Sequence, residues 1–233
     1  MRELRDEEPD VILGLLGRWD ERGGGVSRMH PDAERLFALD AALRAEAEGV
    51  LAGSGIGAIL EEGGYEAVGS YVMGTMTWRD LDFERYEEPD WGRHWEAGTR
   101  LANTGWCVRL QCIDVYREAW QDSGYYWGLR VVEPGREQKA PPGDPTVWKL
   151  DVWTARLEEF RGAPAKREAW GAAMTEETRS HILAIKDAVW RDPRYRHSLL
   201  SVHIYEAVLE EGVRGVEAFR EWWSAKYGEG RER

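Results

Sequence analysis

Asp80 and Asp82 stand one residue apart between apolar neighbours in the run Asp80-Leu81-Asp82-Phe83. In an extended strand successive side chains alternate, so both carboxylates project from one face while Leu81 and Phe83 turn to the other. Like charges about 7 Å apart on a sheet edge repel each other and are relieved by a cation between them. Hard oxygen ligands of this kind suit Mg²⁺, which keeps part of its water shell and shares its other positions with substrate phosphates. Nine residues separate this pair from an earlier Gly69-Ser70 step. The glycine permits close backbone approach, and a turn opening into a short helix over Tyr71 to Thr77 would aim free N–H groups at phosphate oxygens. A third acid, Asp151, follows in Trp148-Lys149-Leu150-Asp151-Val152-Trp153, where Lys149 and Asp151 share a strand face opposite Trp148, Leu150 and Val152. Two readings stay open for these acids. Either Asp151 joins the pair as a metal ligand or general base, or Asp80 and Asp82 form a solvated edge and Asp151 is simply paired with Lys149.

Other chemistry is weakly signalled. The chain has only five lysines and uses Arg as its ordinary cation, which sets Lys149 and Lys186 apart. Lys186 lies beside Ile182 and Val189 on the apolar side of a helix, so it either snorkels at the stripe's edge or reaches a cleft. His94, His181 and His203 lack metal-ligand spacing and read as structural. An Arg followed within a few residues by His, as in a ribonuclease pattern, occurs at both Arg191 with His197 and Arg196 with His203, too common to carry weight in an Arg-rich chain. No Gly-rich P-loop and no Gly-x-Ser-x-Gly step is present. Cys107 and Cys112, an odd offset within one extended run, should point to opposite sheet faces as packing residues.

The elements that must position these residues follow from periodicity. Helical spacing covers Pro9 to Trp19, stopped by Gly23-Gly24-Gly25, then Asp32 to Val50 with Leu36, Leu39, Ala42 and Leu43 on one face, then Ile56 to Glu62. Strands rich in β-branched and aromatic residues are expected over Tyr65 to Tyr71, Asp80 to Tyr86, Trp106 to Arg117, Tyr125 to Val132 and Thr146 to Trp153, with a helix over Trp91 to Ala102 between them. Glu133 to Pro145 reads as a long exposed connection, and Arg161-Gly162-Ala163-Pro164 as a boundary. Helices then return: one capped by Thr175 with Ile182, Ile185 and Val189 as its stripe and Asp192-Pro193 as its stop, followed by Leu199 to Glu211 and Val213 to Tyr227.

The chain's 233 residues suffice for one large domain or two small ones. With 42% apolar and 32% charged residues and a mean hydropathy of −0.59, no membrane span is expected. The acidic start lacks the apolar core of a secretory signal, so the expected location is cytoplasmic. Lys plus Arg number 31 against 43 Asp plus Glu, a net charge of −12 that makes nucleic acid a poor partner. The thirteen Trp are scattered and suit core or cleft walls.

Gly69 and Ser70, then Asp80 and Asp82, then Asp151, each in its apolar setting, resemble the signature of the nucleotidyltransferase fold of the DNA polymerase β superfamily. That signature is a hydrophobic-Gly-(Gly/Ser) step, a spacer, an acid-x-acid pair and a later third acid. The match covers Tyr65 to Trp153. In size and in its C-terminal bundle the chain is most similar to the small bacterial branch that includes the aminoglycoside and lincosamide nucleotidyltransferases. Tyr125-Tyr126-Trp127-Gly128, Trp148 to Asp151 and Ile204 to Glu210 look similar to that branch's uncharacterised relatives. The resemblance implies an α/β (α+β) fold: a mixed β-sheet nucleotidyltransferase domain with N-terminal helices over residues 1–160, and a C-terminal helical domain over 165–230 that closes the cleft. It further implies transfer of AMP from ATP to an acceptor hydroxyl, with Asp80, Asp82 and Asp151 as catalytic residues holding two Mg²⁺ ions. Gly69, Ser70, Lys149 and Lys186 would bind the nucleotide. Arg79 departs from the family's small polar residue before the pair. An acidic protein with a Trp- and Tyr-rich cleft suits a cationic small-molecule acceptor such as an aminoglycoside, and the charge serves solubility equally well. The alternative is a non-catalytic or antitoxin-like module of the same fold that binds a protein partner. AMP transfer to a protein or RNA end is a third reading, with RNA disfavoured by charge.

Overall fold

The computed structural model describes residues 29–118, 123–135, 144–160, 163–195 and 197–228. The helix expected over Pro9 to Trp19 lies outside the described residues, as does most of the connection from Glu133 to Pro145.

The first described helix, α1 (Ala33–Ser54), buries Leu36, Leu43 and Ala47 at helical spacing and ends at Gly55, whose φ of 72° is left-handed. Ala42, expected on the buried face, is exposed; Asp40 is buried instead. After α2 (Ile56–Glu62), five strands form one sheet: β1 (Glu66–Val68), β2 (Asp80–Tyr86), β3 (Cys107–Asp114), β4 (Tyr125–Val131) and β5 (Trp148–Ala155). Their order is β1-β2-β5-β4-β3. β2 and β5 pair in parallel and the other neighbours are antiparallel, so the chain has a mixed α/β architecture. The parallel pair requires a crossover, supplied by α4 (Trp91–Ala102) and the β3–β4 hairpin. β2 is therefore an interior strand, not the sheet edge expected for Asp80 and Asp82.

One face of the sheet carries Leu81, Phe83, Trp127, Leu129, Trp148, Leu150 and Val152, which pack with Leu43, Ile56, Leu60 and Leu101 from the helices. Gly98 lets α4 lie flat on this face, because a Cβ there would come within 2.1 Å of the Trp127 ring. His94 belongs to this core: Trp127 Nε1 donates to its carbonyl at 2.8 Å, and burial pushes its imidazole pKa down to about 3. The cysteines correct the expected alternation. Pairing shifts between Cys107 and Arg109, leaving Val108 as a bulge, so both thiols pack against the same core.

The C-terminal part comprises α5 (Ala163–Ala173), α6 (Glu176–Val189), α7 (Ser201–Tyr205) running into a π-helical turn (Glu206–Glu210), and α8 (Val216–Tyr227). Pro164, expected at a boundary, lies in the first turn of α5, where a missing N–H costs little. Thr175 caps α6 as expected, in a reciprocal box with Thr178. Ile182, Ile185, Val189, Ile204, Val208, Phe219 and Trp223 form a second core. The two parts meet where Leu36 packs on Leu183 and Ala184, and where Met73 and Trp78 join the second core. No described helix is long and apolar enough to cross a membrane.

Candidate metal centre

Strand register assembles the site. Pairing of β2 with β5 sets Asp82 beside Asp151 and Asp80 beside Lys149, with Leu81, Phe83, Leu150 and Val152 committed to the core on the opposite face. One carboxylate oxygen from each of Asp80, Asp82 and Asp151 lies within 4.8 Å of the other two. Lys149 Nζ donates to Asp80 Oδ1 at 3.0 Å and also to Asp151 Oδ2. Asp151 thus pairs with Lys149 and at the same time belongs to the acid cluster.

The remaining carboxylate oxygens are oriented by aromatic donors. Trp78 Nε1 donates to Asp80 Oδ2 at 3.2 Å, and the Tyr126 hydroxyl donates to Asp151 Oδ1 at 2.8 Å. Tyr126 lies against Trp153, with ring centroids 4.8 Å apart. Among the described residues none donates a hydrogen bond to Asp82. Burial first, then the charges of Asp80 and Asp151, push its carboxyl pKa up to about 8. Burial works against the Lys149 ammonium, but Asp80, Asp151 and Asp82 outweigh it and raise its pKa. Burial and the Asp151 carboxylate raise the Tyr126 phenol.

Gly69 closes the other side. The strand expected as far as Tyr71 ends at Val68, and the short helix expected over Tyr71 to Thr77 is α3 (Gly69–Met73). Gly69 has φ 70°, and a Cβ there would stand 2.6 Å from Asp82 Oδ2, so only glycine lets α3 begin against that carboxylate. Ser70 is half-buried beside it.

Two other cations, Lys186 and Arg79, find their partners outside the acid triad. Lys186 is only 1% exposed; its Nζ donates to the Thr75 carbonyl at 2.8 Å and lies 4.8 Å from the Trp78 ring centre. Its ammonium is not in water, which removes the snorkelling reading, and it points inward beneath the cluster, where its charge favours ionised Asp82. Arg79 turns away from the acids and grips Glu46 at 2.6 and 2.8 Å and the Pro145 carbonyl at 3.0 Å.

Sequence reasoning missed a buried support. Asp40 Oδ1 accepts the Met76 N–H at 2.8 Å, Asp40 Oδ2 accepts from Arg179 at 2.6 Å, and Arg179 also donates to the Gly74 carbonyl. The only signal was an acid inside an apolar helical stripe. Tyr126 was legible by alternation, since Trp127 must face the core. Three hard carboxylates around a protein ammonium fit a divalent ion: Lys149 stands where the acids' charge calls for a cation. Comparison of the chain with protein-family profiles and with curated protein sequences gives no match.

Proposed function

We propose that the chain is a metal-dependent nucleotidyltransferase that moves AMP from ATP to an acceptor hydroxyl. The observation that supports this most directly is the convergence of Asp80, Asp82 and Asp151 within 4.8 Å on neighbouring parallel strands. The close approach of Gly69 to Asp82 agrees with it. The three acids would hold two Mg²⁺ ions, which when bound neutralise charge on the attacking and leaving oxygens. Gly69 and Ser70 line the phosphate side. Lys149, once released from Asp80 and Asp151, has its charge free for the phosphates. Asp151, oriented by Tyr126, takes the acceptor's proton as the acceptor oxygen bonds to the α-phosphorus. The bond from that phosphorus to pyrophosphate breaks in the same displacement.

Calorimetric titration with a non-hydrolysable ATP analogue, with and without Mn²⁺, tests this reading. The parent should bind the analogue only with metal, and Asp80→Asn should weaken binding roughly tenfold or more. Equal affinity with and without metal in both proteins overturns it. Pyrophosphate release from ATP across pools of candidate acceptors reports the reaction itself.

A further inference from the structure

The register that aligns the acids also aligns cations beyond them. Crossing from β2 outward, Asp80 stands beside Lys149, Lys149 beside Arg130 and Arg130 beside Arg109. Leu129 and Val131 on β4, and Leu110 and Cys112 on β3, pack on the core face. Alternation therefore turns Arg130 and Arg109 onto the face that bears the acid cluster. Arg130 is close enough to Tyr126 for its charge to act on the phenol that holds Asp151.

This pair is anomalous for the molecule. With 43 acids to 31 bases, the chain supplies its arginines with carboxylates. Of the described arginines, Arg109, Arg130 and Arg191 alone form no ion pair with a described acid, and Arg191 lies on the Trp190 ring at 4.0 Å. Among the described residues Arg130 donates only to the neighbouring Leu129 carbonyl, at 2.9 Å, and Arg109 is exposed. Like charges directly opposite on paired strands disfavour the sheet. A third cation, Lys149, continues the row. Gly128, beside Asp151, lets the Tyr126 hydroxyl lie over β4, since a Cβ there would stand 2.5 Å from it.

We propose that Arg109 and Arg130 form an oxyanion-binding subsite that takes a phosphate or carboxylate group of the acceptor. Guanidinium forks match both groups. The assignment to the acceptor rests on the nucleotidyl-transfer reading: the donor phosphates lie on the Gly69 side of the acids, and in-line displacement brings the acceptor from the opposite side, across β5 and β4. The acceptor is then an anionic hydroxyl compound, opposite in sign to the aminoglycoside expected from net charge. The local charge faces the ligand, whereas the net charge is an average over the surface.

Titration with inorganic phosphate and, separately, with acetate, without metal or nucleotide, tests the subsite by following arginine Nε–Hε resonances. Phosphate or acetate should shift both arginines, and either Arg109→Gln or Arg130→Gln should weaken binding roughly tenfold. Whichever anion binds tighter identifies the group. Because Arg109 is exposed, its variant keeps the fold, which its melting temperature verifies. Absence of shifts at both arginines, or equal affinity in parent and variants, overturns the proposal, whatever becomes of ATP binding. With ATP and Mg²⁺, pyrophosphate release should respond to a sugar-phosphate pool and be lost in the variants. Release that responds to an aminoglycoside pool and is unchanged in the variants overturns the acceptor assignment and leaves nucleotidyl transfer standing.

Discussion

The surroundings of Asp82 favour the protonated form of its carboxyl. Its pKa rises from 3.8 to about 8 because burial and two neighbouring carboxylates disfavour its charge. The folded pKa is above the unfolded one, so the folded state binds more protons between about pH 4 and 8, and stability falls as pH rises through that window. Asp82→Asn removes this term. In a chelator, its melting temperature should match the parent's near pH 4 and exceed it by a margin that grows up to pH 8. Parallel pH slopes for the two proteins would show that Asp82 is an ordinary solvated acid. Tyr126 and Lys149 do not substitute for the missing donor, because both are engaged with Asp151.

At the scale of elements, the segment from Gly74 to Met76 joins α3 to β2 and takes its partners from outside the sheet. Asp40 of α1 accepts from Met76, Arg179 of α6 donates to Gly74, and Lys186 of α6 donates to Thr75. Asp40 is fully buried, so Asp40→Ala strands the Met76 N–H and leaves Arg179 without its charge partner. Breaking such a pair from one side costs about 3–5 kcal/mol, whereas replacing both sides with apolar groups costs far less. Urea unfolding should therefore show Asp40→Leu/Arg179→Met to be more stable than Asp40→Ala. The reverse order would mean that the pair does not hold the segment. Much of this scale was legible. The limits expected for β2 and α4 coincide with those observed, since alternation and a capped, Gly-punctuated helix leave few options. What failed depended on distant partners or on local irregularity. The bulge at Val108 reverses the parity on which the faces of Cys107 and Cys112 were assigned, and no periodicity reveals a bulge. The role of Asp40 was not legible because Met76 and Arg179, which it joins, lie 36 and 139 residues away, and its local pairing with Arg44 does not reveal them. The acid triad was legible because each acid sits on a strand with committed apolar neighbours, although β2 as an interior strand was not.

At the scale of the whole molecule, the helical bundle is built into the site and does not simply close over it. Lys186 lies at the junction, with its ammonium on the Thr75 carbonyl and the Thr75 hydroxyl 2.6 Å from that of Tyr205. Trp78, which donates to Asp80, packs in the bundle's core. Sheet and bundle thus share side chains at the floor of the acid cluster, so calorimetry of the full chain should show one cooperative transition. Lys186→Met removes the donor to a buried carbonyl and should lower that single transition, at a cost of about 1–3 kcal/mol. A lysine whose stem merely covered apolar surface would leave it unmoved. The same variant separates direct contact from support in ligand binding. Direct contact with the β- and γ-phosphates weakens binding of the ATP analogue and spares adenosine. Support through Thr75 and Asp82, which its inward position favours, weakens both ligands together because the floor of the site shifts as a unit. Parallel titrations of parent and Lys186→Met with the analogue and with adenosine distinguish these outcomes. A loss confined to the analogue would mean that the ammonium leaves Thr75 when the triphosphate arrives.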